Sequence, residues 1–120
     1  MEGSVATALV VDDDEALRML CRVVLELRGF SVREASSIAE AEAAIAEARP
    51  DVVLLDVHLG HEASDALFDR LRAAGIPVAA VTGTADVSEY RDRADAVLTK
   101  PFRPEALVEI AQRLARVDGE

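Results

Sequence analysis

Basic residues, cysteines, aromatic rings and long apolar runs are all scarce in this sequence, and each shortage excludes something. Lys and Arg number 13 against 23 Asp and Glu, a formal charge of −10. Wrapping a nucleic-acid backbone takes clustered Lys and Arg, so no direct nucleic-acid partner is expected. A single cysteine, Cys21, leaves no internal disulfide to form, which suits a reducing compartment. With no tryptophan, 1 tyrosine and 3 phenylalanines, the core must be built from Val, Leu, Ile and Ala. No apolar run approaches the length of a membrane span. Met1-Glu2-Gly3-Ser4 lacks the basic region and apolar stretch of a signal peptide. The expectation is a cytoplasmic protein with no membrane partner.

What remains is abundant aliphatic and acidic material, in 120 residues, enough for one domain over 1–120 with a single core. Apolar runs and helical patterns alternate along its length. Ala8-Leu9-Val10-Val11 and Val52-Val53-Leu54-Leu55 are unbroken, as in strands buried on both faces. Residues 30–35 alternate instead, Phe30, Val32 and Glu34 against Ser31 and Arg33, as a half-exposed edge strand does. Leu17, Leu20, Cys21 and Val24 fall at helical spacing, with Gly29 as the stop. Ser37-Ile38-Ala39-Glu40 has the form of a capping box, in which Ser37 and Glu40 each satisfy a backbone N–H. The helix behind it, marked by Ile38, Ala41, Ile45 and Ala48, stops before Pro50.

A third helix is expected over 62–74, with Leu67, Phe68 and Leu71 inward and Gly75 closing it. Pro104 suits the first turn of a last helix whose inner face is Leu107, Ile110, Ala111, Leu114 and Val117. Residues 84–93 show little apolar periodicity, so the fourth helix is expected to be short or poorly formed. The pattern is (βα)5, and right-handed crossovers place helices on both faces of a parallel sheet. With the alternating strand outermost, the expected fold is α/β: a flavodoxin-like, doubly wound parallel sheet of order 2-1-3-4-5. Its switch point lies between strands 1 and 3.

The ends of the runs carry the chemistry. The first runs into Asp12-Asp13, 52–55 into Asp56, Val78-Ala79-Ala80-Val81 into Thr82, and Val97-Leu98-Thr99 into Lys100-Pro101. As neighbouring parallel strands they converge on one rim, where open α/β sheets bind ligands. Carboxylates gathered closely repel unless a cation offsets them, and Mg²⁺ takes one or two carboxylates together with phosphate oxygens. One carboxylate can also be a nucleophile that forms an aspartyl phosphate. Asp56 fits best, alone at a central strand end before a loop. Lys100 supplies a point charge and Thr82 a hydrogen bond to phosphoryl oxygens, and Gly83 removes a side chain from the path of the incoming group.

Four signatures in this order carry a resemblance: Leu9-Val10-Val11-Asp12-Asp13-Asp14, Asp51-Val52-Val53-Leu54-Leu55-Asp56, Val81-Thr82-Gly83 and Lys100-Pro101-Phe102. The chain resembles the CheY-like receiver domains of two-component response regulators over almost its full length. The resemblance implies that Asp56 accepts a phosphoryl group from a phosphohistidine on a sensor histidine kinase or a histidine phosphotransfer protein. It implies that Asp13, Asp56 and the backbone carbonyl of His58 ligate Mg²⁺, with Asp12 acting mostly through metal-bound water. Thr82 and Lys100 would bind the phosphoryl oxygens, and the Lys100-Pro101 bond would be cis. The product would be a phosphorylation-controlled switch that changes affinity for a downstream protein, not a true enzyme.

Some positions depart from the common pattern. Gly60 stands where Pro is frequent, Ser64 near where Gly usually follows, and Val97 at the switch position often held by an aromatic. The stretch 82–100 is shorter than usual by about one helical turn. Asp56-Val57-His58-Leu59-Gly60-His61-Glu62 and Ala80-Val81-Thr82-Gly83-Thr84 resemble the single-domain "FAT GUY" receivers in part. The native-looking Met1 and a helix ending near the C-terminus permit either a stand-alone regulator or a receiver cut from a longer protein, and the stand-alone regulator is slightly favoured.

Bland readings compete with each of these. Taken alone, Asp12-Asp13-Asp14 reads equally well as a solvated turn with Asp14 capping the first helix, and Asp56 as a loop acid. His58 and His61 lack metal-ligand spacing and read as exposed loop residues. Cys21 reads as a small core residue, and Thr84 and Tyr90 as surface positions. Two rival functions stay open: a pseudo-receiver that binds partners without phosphorylation, and a haloacid-dehalogenase-like phosphatase built on Asp12-x-Asp14. Against the phosphatase, Ala16 departs from its motif and no acidic pair follows Lys100.

Overall fold

Each apolar run forms a strand, and each strand crosses to the next through a helix. The computed structural model describes residues 5–59, 61–83 and 87–115. Its elements in chain order are β1 (Thr7–Val11), α1 (Glu15–Glu26), β2 (Ser31–Ala35), α2 (Ile38–Glu47), β3 (Val52–Asp56), α3 (His61–Ala74), β4 (Val78–Thr82), α4 (Val87–Tyr90), β5 (Ala96–Thr99) and α5 (Pro104–Ala115). All strand pairs are parallel, in the order β2-β1-β3-β4-β5. Every residue of β3 and β4 is buried, as unbroken apolar runs require.

Successive side chains of a strand point to opposite faces, so the sheet divides one core into two layers. Leu9, Val11, Val53, Leu55 and Ala80 face a layer with Phe68 and Leu71 of α3 and Tyr90 of α4. Ala8, Val10, Val52, Leu54 and Ala79 face the other, with Cys21 and Leu25 of α1 and Leu107 and Ala111 of α5. Gly29 and Gly75 close α1 and α3 at φ +92° and +72°, in the left-handed region that suits glycine. Among the described residues, no helix is long and apolar enough to cross a membrane.

Four local expectations change. Leu20 is 46% exposed, and Leu25 takes the buried place. Five positions at about 100° each carry Leu20 roughly 140° around the axis from Leu25. Leu20 thus joins Met19, Val23 and Leu27 on an exposed apolar face of α1. The Ser37 hydroxyl does accept from the Glu40 N–H, but the Glu40 carboxylate reaches the N–H and hydroxyl of Ser36, not of Ser37. That backbone bond holds the Glu40 carboxyl below its usual range. Ala48 lies past the end of α2 and is exposed. Tyr90 belongs to the core, 1% exposed with its ring centroid 5.6 Å from that of Phe68. Thr84 and Val117 lie outside the described residues.

The edge strand alternates as expected, yet neither of its charged side chains simply faces water. Arg33 donates to the Ala44 and Ala48 carbonyls at the end of α2, where orphan carbonyls need donors. Glu34 accepts from Arg18 and Arg22 of α1. The fourth helix is a single turn, Val87–Tyr90.

Cys21 is buried, and burial with the nearby Asp12 charge pushes its thiol up to about 11. At pH 8 an ordinary thiol is roughly a quarter ionised and one at that value about one part in a thousand. Alkylation by iodoacetamide in the folded protein is therefore expected to run about two orders of magnitude slower than in the denatured chain. Equal rates, followed by intact mass, would show the thiol is not held this way.

Candidate functional site

The register brings the strand ends together in steps. Val11 pairs with Leu55, so Asp12 and Asp56 follow at one level; Asp56 pairs with Val81, which puts Thr82 one residue beyond. Thr82 pairs with Thr99, leaving Lys100 one residue further up the rim. The four-carbon stem of Lys100 reaches back down to the acids.

Asp12 and Asp56 are 4% and 3% exposed, and each divides its carboxylate in the same way. Asp12 Oδ1 accepts from the Asp14 N–H at 2.8 Å, and Asp56 Oδ1 accepts from the His58 N–H at 3.0 Å. The Oδ2 atoms turn toward one ammonium: Lys100 Nζ lies 3.4 Å from that of Asp12 and 3.5 Å from that of Asp56. Each acid therefore stabilises its own turn with one oxygen and presents the other to the rim. Asp13 is exposed, and one carboxylate oxygen from each of Asp12, Asp13 and Asp56 lies within 4.8 Å of the others. Asp14 caps α1, accepting from the N–H groups of Ala16 and Leu17, as its bland reading required.

The electrostatics leave Asp12 under-compensated. Burial pushes the Asp12 carboxyl up, the Asp14 N–H opposes that, and the Asp56 charge adds to the rise. Burial alone would push Lys100 down, but the carboxylates of Asp56 and Asp12 together outweigh it and hold the ammonium above its ordinary value. Three carboxylates gathered at one rim, two of them sharing a single lysine, offer the hard oxygen donors that suit a small divalent cation such as Mg²⁺.

Asp12 binds its proton more tightly folded than unfolded, so its charge costs stability progressively as pH rises above the ordinary carboxylate range. Asp12→Asn removes the charge and keeps an oxygen for the Asp14 N–H. In chelator at pH 7 it should melt above the wild type, with the gap closing once acid protonates the wild-type carboxyl. An equal or lower melting temperature at pH 7 would contradict this account.

The other expected residues sit around these. Thr82 is buried at the end of β4, its hydroxyl donating to the Gly83 carbonyl at 3.2 Å. Among the described residues, a Cβ at Gly83 would meet nothing within 4 Å. His58 is exposed, and the side chain of His61 lies outside the description. Val97 is half-buried against the layer of α3. The Lys100-Pro101 bond is cis, and the Lys100 N–H donates to the Thr82 carbonyl at 2.8 Å.

One participant escaped the sequence reading. Arg18 donates from Nη1 to the backbone carbonyl of Asp12 at 2.8 Å and from Nε to Glu34 at 3.0 Å. Only the pairing of β2 beside β1 reveals that Glu34 faces α1, so no local signal marked this arginine.

The family model for the response regulator receiver domain matches residues 8–112. The DNA-binding response regulator MtrA of Mycobacterium tuberculosis is 36% identical over 118 residues, covering 93% of this chain and 52% of that protein. The phosphate regulon regulator PhoB of Pseudomonas aeruginosa is 31% identical over 121 residues, covering 94% and 53%. The chain thus spans about half the length of these relatives. Among solved structures, the receiver domain of NtrX from Brucella abortus superposes with a TM-score of 0.83 at 28% identity, covering 92% of this chain and 99% of that one. The chemotaxis protein CheY4 of Vibrio cholerae gives 0.79 at 28%, with the same coverage. On strand order, the acidic rim and these likenesses together, the chain belongs to the receiver-domain family of two-component response regulators.

Proposed function

We propose that this chain is a phosphorylation-controlled switch in which Asp56 accepts a phosphoryl group from a phosphohistidine on a sensor histidine kinase or phosphotransfer protein. The observation that carries the reading is the convergence of Asp12 Oδ2 and Asp56 Oδ2 on Lys100 Nζ, beside Asp13, at the open rim. Asp12, Asp13, Asp56 and the His58 carbonyl are the groups to hold Mg²⁺, which when bound neutralises charge on the phosphoryl oxygens.

The remaining work falls to the chain. Asp56 Oδ2, already turned to the rim, attacks phosphorus; the P–O bond forms as the P–N bond to the donor imidazole breaks, and the imidazole keeps the electron pair. Lys100 then leaves the shared position between two acids for a phosphoryl oxygen. The Thr82 hydroxyl turns from the Gly83 carbonyl to another. A phosphoryl group adds nearly two negative charges, so both movements draw on the loops after β4 and β5, and the half-buried Val97 lies between them. Altered affinity for a downstream protein is the output we assign, with regulation and not turnover as the role.

Intact mass after incubation with acetyl phosphate tests the reading. A phosphoryl adduct with Mg²⁺ present, and none in EDTA, is expected. No adduct even from a histidine-phosphorylated donor would leave a phosphorylation-independent binder instead. Family membership favours a receiver over the dehalogenase-like phosphatase, and turnover of small phosphoesters by the same sample would favour the phosphatase instead.

A further inference from the structure

Asp12 is pinned from both sides of its backbone, and both anchors lead to the edge strand. Its N–H donates to the Ala35 carbonyl at the end of β2 at 3.1 Å. Its carbonyl accepts from Arg18 Nη1 at 2.8 Å, and Arg18 in turn is held through Nε by Glu34 Oε1 of β2 at 3.0 Å. The second oxygen of Glu34 accepts from Arg22 Nη1 at 2.8 Å, and Arg22 Nε is bound to Glu26 at 3.1 Å. The Arg18 side chain is only 15% exposed. The carbonyl it grips belongs to the planar peptide unit that carries Asp13, so fixing that oxygen also fixes where the Asp13 backbone begins.

We propose that Arg18, oriented by Glu34, is a positioning residue for the cation: it sets the peptide between the two acids so that both carboxylates stay directed to the rim. This rests on the Mg²⁺ reading above. Its chemistry is easy to separate from bare charge, because the two act with opposite sign. As a positive charge near three acids, Arg18 opposes a divalent cation; as a clamp on the Asp12 carbonyl, it favours one. Lysine keeps the charge but is a point donor that cannot span the carbonyl and Glu34 with a planar fork.

The test is an amide NMR titration of the full chain with MgCl₂, comparing wild type, Arg18→Gln, Arg18→Lys and Glu34→Gln. Groups that orient metal ligands from behind are worth about 10- to 100-fold in affinity. Both arginine variants should therefore bind Mg²⁺ about tenfold or more weakly, and Glu34→Gln should weaken it in the same direction. Glu34→Gln also removes a negative charge, which by itself weakens cation binding, so Arg18→Lys, which keeps the charge and loses only the planar fork, decides the matter if Arg18→Gln does not fold. Thermal melts in EDTA separate a purely structural role: lowered melting temperatures with unchanged Mg²⁺ affinity would overturn the proposal. Tighter or equal binding by Arg18→Gln would overturn it too. A wild type that shows no Mg²⁺-dependent shifts would remove the cation reading itself, an outcome distinct from variants that match a binding wild type.

Discussion

Asp56→Asn should carry no phosphoryl adduct after incubation with acetyl phosphate and Mg²⁺, under conditions in which the wild type is labelled. The substitution is chosen for how little else it changes. Asp56 Oδ1 is occupied by the His58 N–H, and the amide oxygen of asparagine serves that bond equally. Oδ2, the atom turned toward Lys100, is replaced by an amide nitrogen whose lone pair is delocalised and which is no nucleophile toward phosphorus. Lys100 keeps Asp12 as a partner, so no charge is left buried and unpaired. The fold should persist by circular dichroism while labelling disappears. Asp56→Ala should give the same loss, with the His58 turn less well held. An adduct that survives both substitutions would place the acceptor elsewhere, with Asp12 and Asp13 next to be replaced.

The sheet and its acidic rim were legible in the sequence because they depend on local signals. Strands buried on both faces need unbroken apolar runs, and those of β3 and β4 are unbroken. A parallel sheet brings all strand ends with the same polarity to one rim, so polar residues closing several runs had to meet. The alternating segment had to be outermost, which fixed β2 at the edge. What stayed illegible depended on packing between elements. Leu20 reads as buried because α1 carries apolar residues on two faces, and only its docking angle shows that Leu25 points inward. Glu40 reaches one residue further back than a capping box predicts, to the N–H and hydroxyl of Ser36, which a pattern read from spacing alone does not show. Arg18 acquires meaning only once β2 supplies Glu34 and β1 supplies the Asp12 carbonyl.

Tyr90→Ala should cost about 3–5 kcal/mol of folding stability, the range for deleting a large buried ring, against a total of about 5–15 kcal/mol for a domain. The lone tyrosine of the chain sits in its least regular stretch, on a helix of 4 residues. A single turn cannot sustain itself, since nucleating a helix costs more than its first hydrogen bonds return. Its order must come from packing, and among its described residues Tyr90 is the fully buried side chain, set against Phe68 of α3. The carbonyl of Tyr90 also accepts from the N–H groups of Arg93 and Ala94, so the ring fixes the turn that leads into β5. That connection has Thr82 at one end and Lys100 at the other, which ties the core position to the rim. Urea denaturation should therefore show a large fall in midpoint for Tyr90→Ala and a much smaller one for Tyr90→Phe, which keeps the ring. A loss below about 0.5 kcal/mol for the alanine variant, within the range of ordinary surface changes, would mean that the ring fills no essential space. The β4–β5 connection would then be held by its backbone alone, and a change at the phosphoryl site would reach it through Thr82 and Lys100 without help from the core.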